Sequence, residues 1–237
     1  MAASELDEAR RRLVWEERYA PGDPTRLSWY QPIPTVSLEL IDVLGIPGDA
    51  AILDAGGGAS TLVDALHARG CTDVTVLDVS AAALRVARRR AGRDAAQWME
   101  TDLLAWSPGR RYDLWHDRAV FHFLVDEADR ERYRRVLRSA LRDGGHAILA
   151  TFAPDGPDHC SGLPVQRYDA DTLLAALGDG FELVAERGEL HHTPGGGVQP
   201  YTWIAARYAA ARLLPLSSCS GQFAQGDKRL RGAAQYG

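Results

Sequence analysis

From Ala51 to Phe152 short apolar runs alternate with helical patterns, and that alternation constrains the fold more than any other feature of the chain. Ala51 to Ala55, Val74 to Leu77, Gln97 to Glu100, Tyr112 to His116 and His146 to Phe152 read as strands. Helices fill the gaps: Ser60 to about Arg69 with Gly70 as a stop, and Ser80 to about Arg90. A third carries Tyr133, Val136, Leu137, Ala140 and Leu141 at i, i+3, i+4, i+7, i+8, with Asp143-Gly144-Gly145 as its end. After a helix near Asp171 to Leu177 the rhythm changes. Phe181 to Leu190 and Tyr201 to Tyr208 are strand-like runs joined by HHTPGGGVQP with no helix between, which predicts a hairpin. The class implied is α/β, a doubly wound, mostly parallel sheet with a C-terminal antiparallel hairpin. Its ligand belongs beyond the carboxyl ends of the strands, where strand order reverses.

Ahead of this core, residues 5–19 suit an amphipathic helix with Leu13, Val14 and Trp15 on one side. The proline-broken loop PGDPTRLSWYQPIP follows, then a helix from Thr35 to Leu44. From Leu214 no periodicity remains, which predicts a disordered or irregular tail. Three regions are therefore expected: a helical lid segment over 1–45, the main domain over 46–212, and the tail over 213–237. No run of eighteen apolar residues occurs and the start MAASELDEARRRLVW lacks an apolar signal core, so a cytoplasmic location away from membranes is expected. A net charge of −5 argues against nonspecific nucleic-acid binding. Cys71, Cys160 and Cys219 have no CxxC spacing, which excludes a cysteine-rich zinc site.

The turn after the first strand, Asp54-Ala55-Gly56-Gly57-Gly58-Ala59-Ser60, has two readings. A nicotinamide fingerprint, G-x-G-x-x-G, fits Gly56 and Gly58 but finds Thr61 at its third glycine, and Asp54 would set a carboxylate beside a pyrophosphate. That reading implies an oxidoreductase. A carboxylate beside close-approach backbone suits a cationic ligand rich in donors, and S-adenosylmethionine is one. Asp78 ends the second strand, where it can accept two ribose hydroxyls, and Asp102 follows the third, within reach of an adenine amine.

On Asp54, Gly56 and Gly58, with Ser60 in place of a last glycine, the chain resembles the class I S-adenosylmethionine-dependent methyltransferases over roughly residues 10–210. The resemblance implies a Rossmann-like seven-stranded sheet with S-adenosyl-L-methionine as cofactor. Gly56, Gly57 and Gly58 would then pack on the methionine moiety, Asp78 and Val79 lie at the ribose, and Asp102 and Leu103 read the adenine. In related enzymes an N-terminal segment folds over the cofactor, a role that falls here to Trp29 and Tyr30, preceded by Trp15, Glu16 and Tyr19.

At the end of the fourth strand, WHDRAVFHF places His116, Asp117 and Arg118 near the expected methyl group, with His122 just beyond. The D-R-x pattern resembles thiol S-methyltransferases and translation-factor lysine methyltransferases, except that Ala119 replaces a glycine. Asp117 is a candidate to orient cofactor or acceptor, and His116 or His122 to take a proton. In the competing structural reading, Asp117 and Arg118 form an ion pair and His122 packs under the next helix. His159 and Cys160 lie on a long loop of the ligand face, Cys160 as candidate acceptor-pocket residue or small buried side chain. The histidines, with His191 and His192, show no metal-ligand spacing, so no metal is expected. No [DN]-P-P-[FYW] tetrad marks a nucleic-acid methylase. A small-molecule acceptor at S, N or O is the leading expectation, and a protein lysine the alternative.

Overall fold

The alternation folds as a seven-stranded sheet in the computed structural model, which describes residues 3–20 and 23–210. Strands β1 (Ala51–Ala55), β2 (Asp73–Asp78), β3 (Gln97–Glu100), β4 (Tyr112–Arg118) and β5 (Leu141–Phe152) are parallel. Within the loop that follows, β6 (His159–Cys160) and β7 (Leu163–Pro164) pair with each other, adding a small ribbon to what the sequence suggested was plain loop. The predicted hairpin is β8 (Phe181–His192) and β9 (Val198–Tyr208), with β9 antiparallel to both β5 and β8. Spatial order is β3-β2-β1-β4-β5-β9-β8, reversing between β1 and β4. A crevice therefore opens beyond the carboxyl ends of those two strands. The tail from Leu214 and the last two residues of the expected 46–212 domain lie outside the described residues.

Helices cover both faces: α1 (Ala3–Tyr19), α2 (Thr35–Val43), α3 (Leu62–Ala68), α4 (Ala81–Ala91), α5 (Glu127–Ala140) and α6 (Ala170–Leu177). Strand side chains alternate between faces, and the core divides accordingly. Ile52, Val76 and Leu114 pack with Leu38 and Ile41 of α2 and Leu62 and Leu66 of α3. Leu53, Leu77 and Trp115 pack with Tyr133 and Leu137 of α5 and Leu173 of α6. The same period sends Asp54, His116 and Arg118 toward the α2 side, and Asp117 toward α5.

Two sequence expectations are corrected. The helix of Tyr133 ends at Ala140, and Asp143-Gly144-Gly145 lies inside β5. Leu141 already pairs with Tyr112, the register slips between Tyr112 and Leu114, and Gly144 takes φ +80°. The glycines thus serve a strand irregularity instead of a helix cap. On α1, Leu13 is 60% exposed while Tyr19 is 8% exposed. The inward face is Arg11, Trp15 and Tyr19, because α1 lies across the crevice, where partners are aromatic and acidic, and not on the apolar core.

Candidate active site

The glycine turn is built for close approach. Gly56 and Gly58 have φ of +68° and +49°, a region costly for residues with a Cβ. A Cβ at Gly56 would run into the Val120 side chain, and one at Gly57 into Asp54 Oδ2. At Gly58 it would stand 2.8 Å from the Tyr19 hydroxyl and 3.1 Å from Asp78 Oδ2. The Gly56 and Gly57 N–H groups donate to Leu77 O at 2.7 and 3.2 Å, tying the turn to β2. Ser60 Oγ accepts from the Leu62 N–H at 3.1 Å, the helix-starting role expected of it.

All three strand-tip carboxylates are buried, with Asp54 and Asp102 each 3% exposed and Asp78 8%. Asp54 Oδ1 accepts from His116 Nδ1 at 2.8 Å, and His116 Nε2 meets Ser37 Oγ at 3.0 Å, so a three-residue chain links β1, β4 and α2. Asp54 Oδ2 is buried without a hydrogen-bond partner. Asp78 Oδ1 accepts from the Ser80 N–H at 2.8 Å. Burial above all pushes the Asp78 carboxyl up to about 7, aided by the charges of Asp54 and Glu16 and opposed by bonds from Ser80 and Gly58. Asp102 accepts from the Leu104 N–H at 2.9 Å and from Arg11 Nε and Nη2 at 2.8 and 2.6 Å. Both Arg11 bonds fall on Oδ2, so Oδ1 is the oxygen that keeps a further lone pair.

Two adjoining cavities occupy the crevice. The larger, about 920 Å³ out to its mouth, is lined by Asp78, Val79, Asp102 and Leu103 beyond β2 and β3, and by Trp15, Phe123, Leu124 and Cys160. The smaller, about 540 Å³, lies at the glycine turn against Asp54, Gly57, Ser60, Tyr30 and His116. Tyr19, Trp29, Gly56 and Arg118 border both. Of the sequence-chosen cofactor residues, Asp54, Gly56, Gly57, Asp78, Val79, Asp102, Leu103, Trp29 and Tyr30 all line one cavity or the other. Gly58 stands behind the wall, beneath Tyr19.

The three candidate catalytic residues separate. His116 borders the smaller cavity, whereas Asp117 and His122 border neither. Asp117 is fully buried on the α5 side, where it accepts from the Val120 and Phe121 N–H groups and, at 2.5 Å, from the Tyr133 hydroxyl. Burial pushes its carboxyl up to about 6 against those three bonds. It fixes the turn after β4. His122 is sealed between Phe123 and Phe152, and burial, with the charge of Arg118, pulls it down to about 3. A neutral ring of that acidity is a weak base. The competing Asp117–Arg118 pair does not form: Arg118 Nη1 donates to Trp29 O at 2.8 Å and its guanidinium lies over the Tyr201 ring at 5.0 Å.

Other candidates are dispersed. His159 is exposed beside Asp158, and His191 donates to Ser28 O at 2.7 Å. Cys160 reaches the larger cavity, its thiol pushed up by burial. Among the described residues no three His, Cys, Asp or Glu side chains are grouped to hold a metal. What the sequence reading missed is Arg11, spaced i, i+4, i+8 with Trp15 and Tyr19, a signal legible in the sequence. It also missed Val120, Phe123 and Leu124, brought in by a turn whose course depends on Asp117.

Residues 52–145 match the family model of a methyltransferase domain. No curated protein matches the chain. Among solved structures, a SAM-dependent methyltransferase from Anabaena variabilis is 17% identical, with a TM-score of 0.68 over 83% of this chain and 94% of that one. A Burkholderia thailandensis 1,6-didemethyltoxoflavin-N1-methyltransferase, solved with S-adenosylhomocysteine, is 21% identical, with a TM-score of 0.68 over 88% and 92%. The N-methyltransferase NodS of Bradyrhizobium japonicum, also with S-adenosylhomocysteine, is 19% identical, with a TM-score of 0.61 over 84% and 98%.

Proposed function

We propose that the chain is a class I S-adenosylmethionine-dependent methyltransferase, that it moves the cofactor's methyl group to a small, largely apolar acceptor, and that residues 1–45 are its lid. The observation carrying this reading is the apolar part of the larger cavity's wall, Trp15, Trp29, Phe123, Leu124 and Cys160. A lysine acceptor would call for an open acidic groove. Here the carboxylates lining the cavity are Asp78 and Asp102, both assigned to the cofactor, and its other charged residues, Arg11 and Arg118, are cations. The small-molecule and N-methyl acceptors named for similar folds support the same reading.

The residues present fit the cofactor. Asp78 would accept the ribose hydroxyls, Asp102 and Leu103 would meet the adenine, and the glycine turn with the unpartnered Asp54 Oδ2 would meet the methionine end. The bound cofactor supplies an electrophilic methyl group on a sulfonium. The chain's part is to align the nucleophile in line with that bond and to keep water out, through Trp15, Trp29 and Phe123, whose rings meet edge to face at 5.1 to 6.0 Å. Asp117 and His122 act by packing, so no dedicated base is assigned. Labelled methyl transfer into a cell lysate tests the proposal. Label recovered in the small-molecule fraction is expected, and label confined to protein would refute it.

A further inference from the structure

The smaller cavity is bordered by two side chains of opposite charge, each with buried hydrogen-bonding atoms that no other described residue uses. Asp54 has Oδ2 unpartnered, and Arg118 has Nε and Nη2 unpartnered, all three atoms buried. The two side chains are not joined to one another by an ion pair. Buried charges left this way are costly, so a ligand that answers both is the expected occupant. Their remaining atoms are fixed: Asp54 Oδ1 by His116, Arg118 Nη1 by Trp29 O, and the guanidinium plane by the Tyr201 ring. The free pair on Arg118, Nε and Nη2, is one side of the planar fork, the edge that binds a carboxylate bidentately.

The geometry points to an α-amino-acid clamp: Asp54 Oδ2 accepts from the cofactor's ammonium while Arg118 Nε–H and Nη2–H donate to its carboxylate. This rests on the cofactor placement proposed above and moves Arg118 from the acceptor side to the cofactor side. Strand alternation explains why Arg118 qualifies and Asp117 does not. Asp54 pairs with His116 across β1 and β4, so Arg118, two residues on, emerges on the same face of the sheet at the switch point.

The test pairs ligand and protein deletions by calorimetry. S-adenosylhomocysteine and its analogue lacking the carboxylate, 5′-deoxy-5′-(3-aminopropylthio)adenosine, are titrated into wild type, Arg118→Met and Arg118→Lys. Wild type is expected to prefer S-adenosylhomocysteine by about 10- to 100-fold, the scale of a charged hydrogen-bonded pair. Arg118→Met should lose that preference by weakening S-adenosylhomocysteine alone, and Arg118→Lys should restore part of it. Unchanged affinity of the analogue for Arg118→Met shows that the variant is folded. Equal weakening of both ligands, or no weakening of either, would overturn the clamp while leaving the cofactor placement intact. Failure of wild type to bind S-adenosylhomocysteine would overturn both.

Discussion

Gly57 has an ordinary backbone conformation, yet it is the glycine whose replacement should matter most to Asp54. An added methyl would collide with Asp54 Oδ2 and lie 2.9 Å from Val76 Cγ1, neither of which can retreat from the sheet. Gly57→Ala should lower stability by about 1–3 kcal/mol, read as a falling melting temperature, and weaken S-adenosylhomocysteine binding. Asp78 carries a pH signature. Its carboxyl lies near 7, so the proton-free form, proposed above to accept the two ribose hydroxyls, is depleted as pH falls through that value. Affinity for S-adenosylhomocysteine should drop by roughly tenfold between pH 8 and pH 6, and Asp78→Asn should flatten the dependence. Asp117→Asn replaces an acceptor of three bonds with a group that turns one N–H toward a donor. It should cost about 1–3 kcal/mol of stability, seen in denaturant midpoints. At this scale the strand-tip acids were legible because each follows an apolar strand. The sealing of Asp117 and His122 was not, because both depend on α5 and β5 side chains distant in sequence.

Two elements hold the roof of the crevice, by different means. The segment Ser28 to Gln31 is pinned by hydrogen bonds from His191, Arg118 and Thr61 and to Glu189, so the C-terminal hairpin helps position Trp29. Helix α1 is attached by the packing of Trp15 and Tyr19 and by polar contacts: Arg11 on Asp102, Arg12 on Glu100, Arg18 on Ser161 O, and Glu16 accepting from the Ala82 N–H. Partly exposed ion pairs weaken with salt. Removal of residues 1–33 should leave the circular-dichroism spectrum of a folded α/β core while weakening S-adenosylhomocysteine at least tenfold, and Arg11→Ala should reproduce part of that loss. The helix itself was readable from its sequence, but its inward face was not. Leu13 and Val14 suggest an apolar seat, and the actual seat combines Glu100 and Asp102 at the end of β3, Phe123 after β4 and Trp29 of the loop that follows α1.

Over the whole molecule, the doubly wound, mostly parallel sheet and a crevice at its strand-order reversal followed from the alternation between Ala51 and Phe152, since a parallel βαβ series has few ways to pack. The acceptor region was less legible, because it is assembled from α1, the turn after β4 and the loop bearing Cys160, whose meeting is a property of tertiary packing. Ligand binding across these parts should stabilise them jointly. At a hundred times its dissociation constant, S-adenosylhomocysteine adds about 2.7 kcal/mol, which for a chain of this size raises the melting temperature by about 5–10 °C. Helix α1 borders the larger cavity through Arg11, Trp15 and Tyr19. On the proposed reading of α1 as a lid, spent nucleoside leaves as that door swings, and two acceptors of unequal reactivity should reach the same ceiling velocity, one that rises with ionic strength.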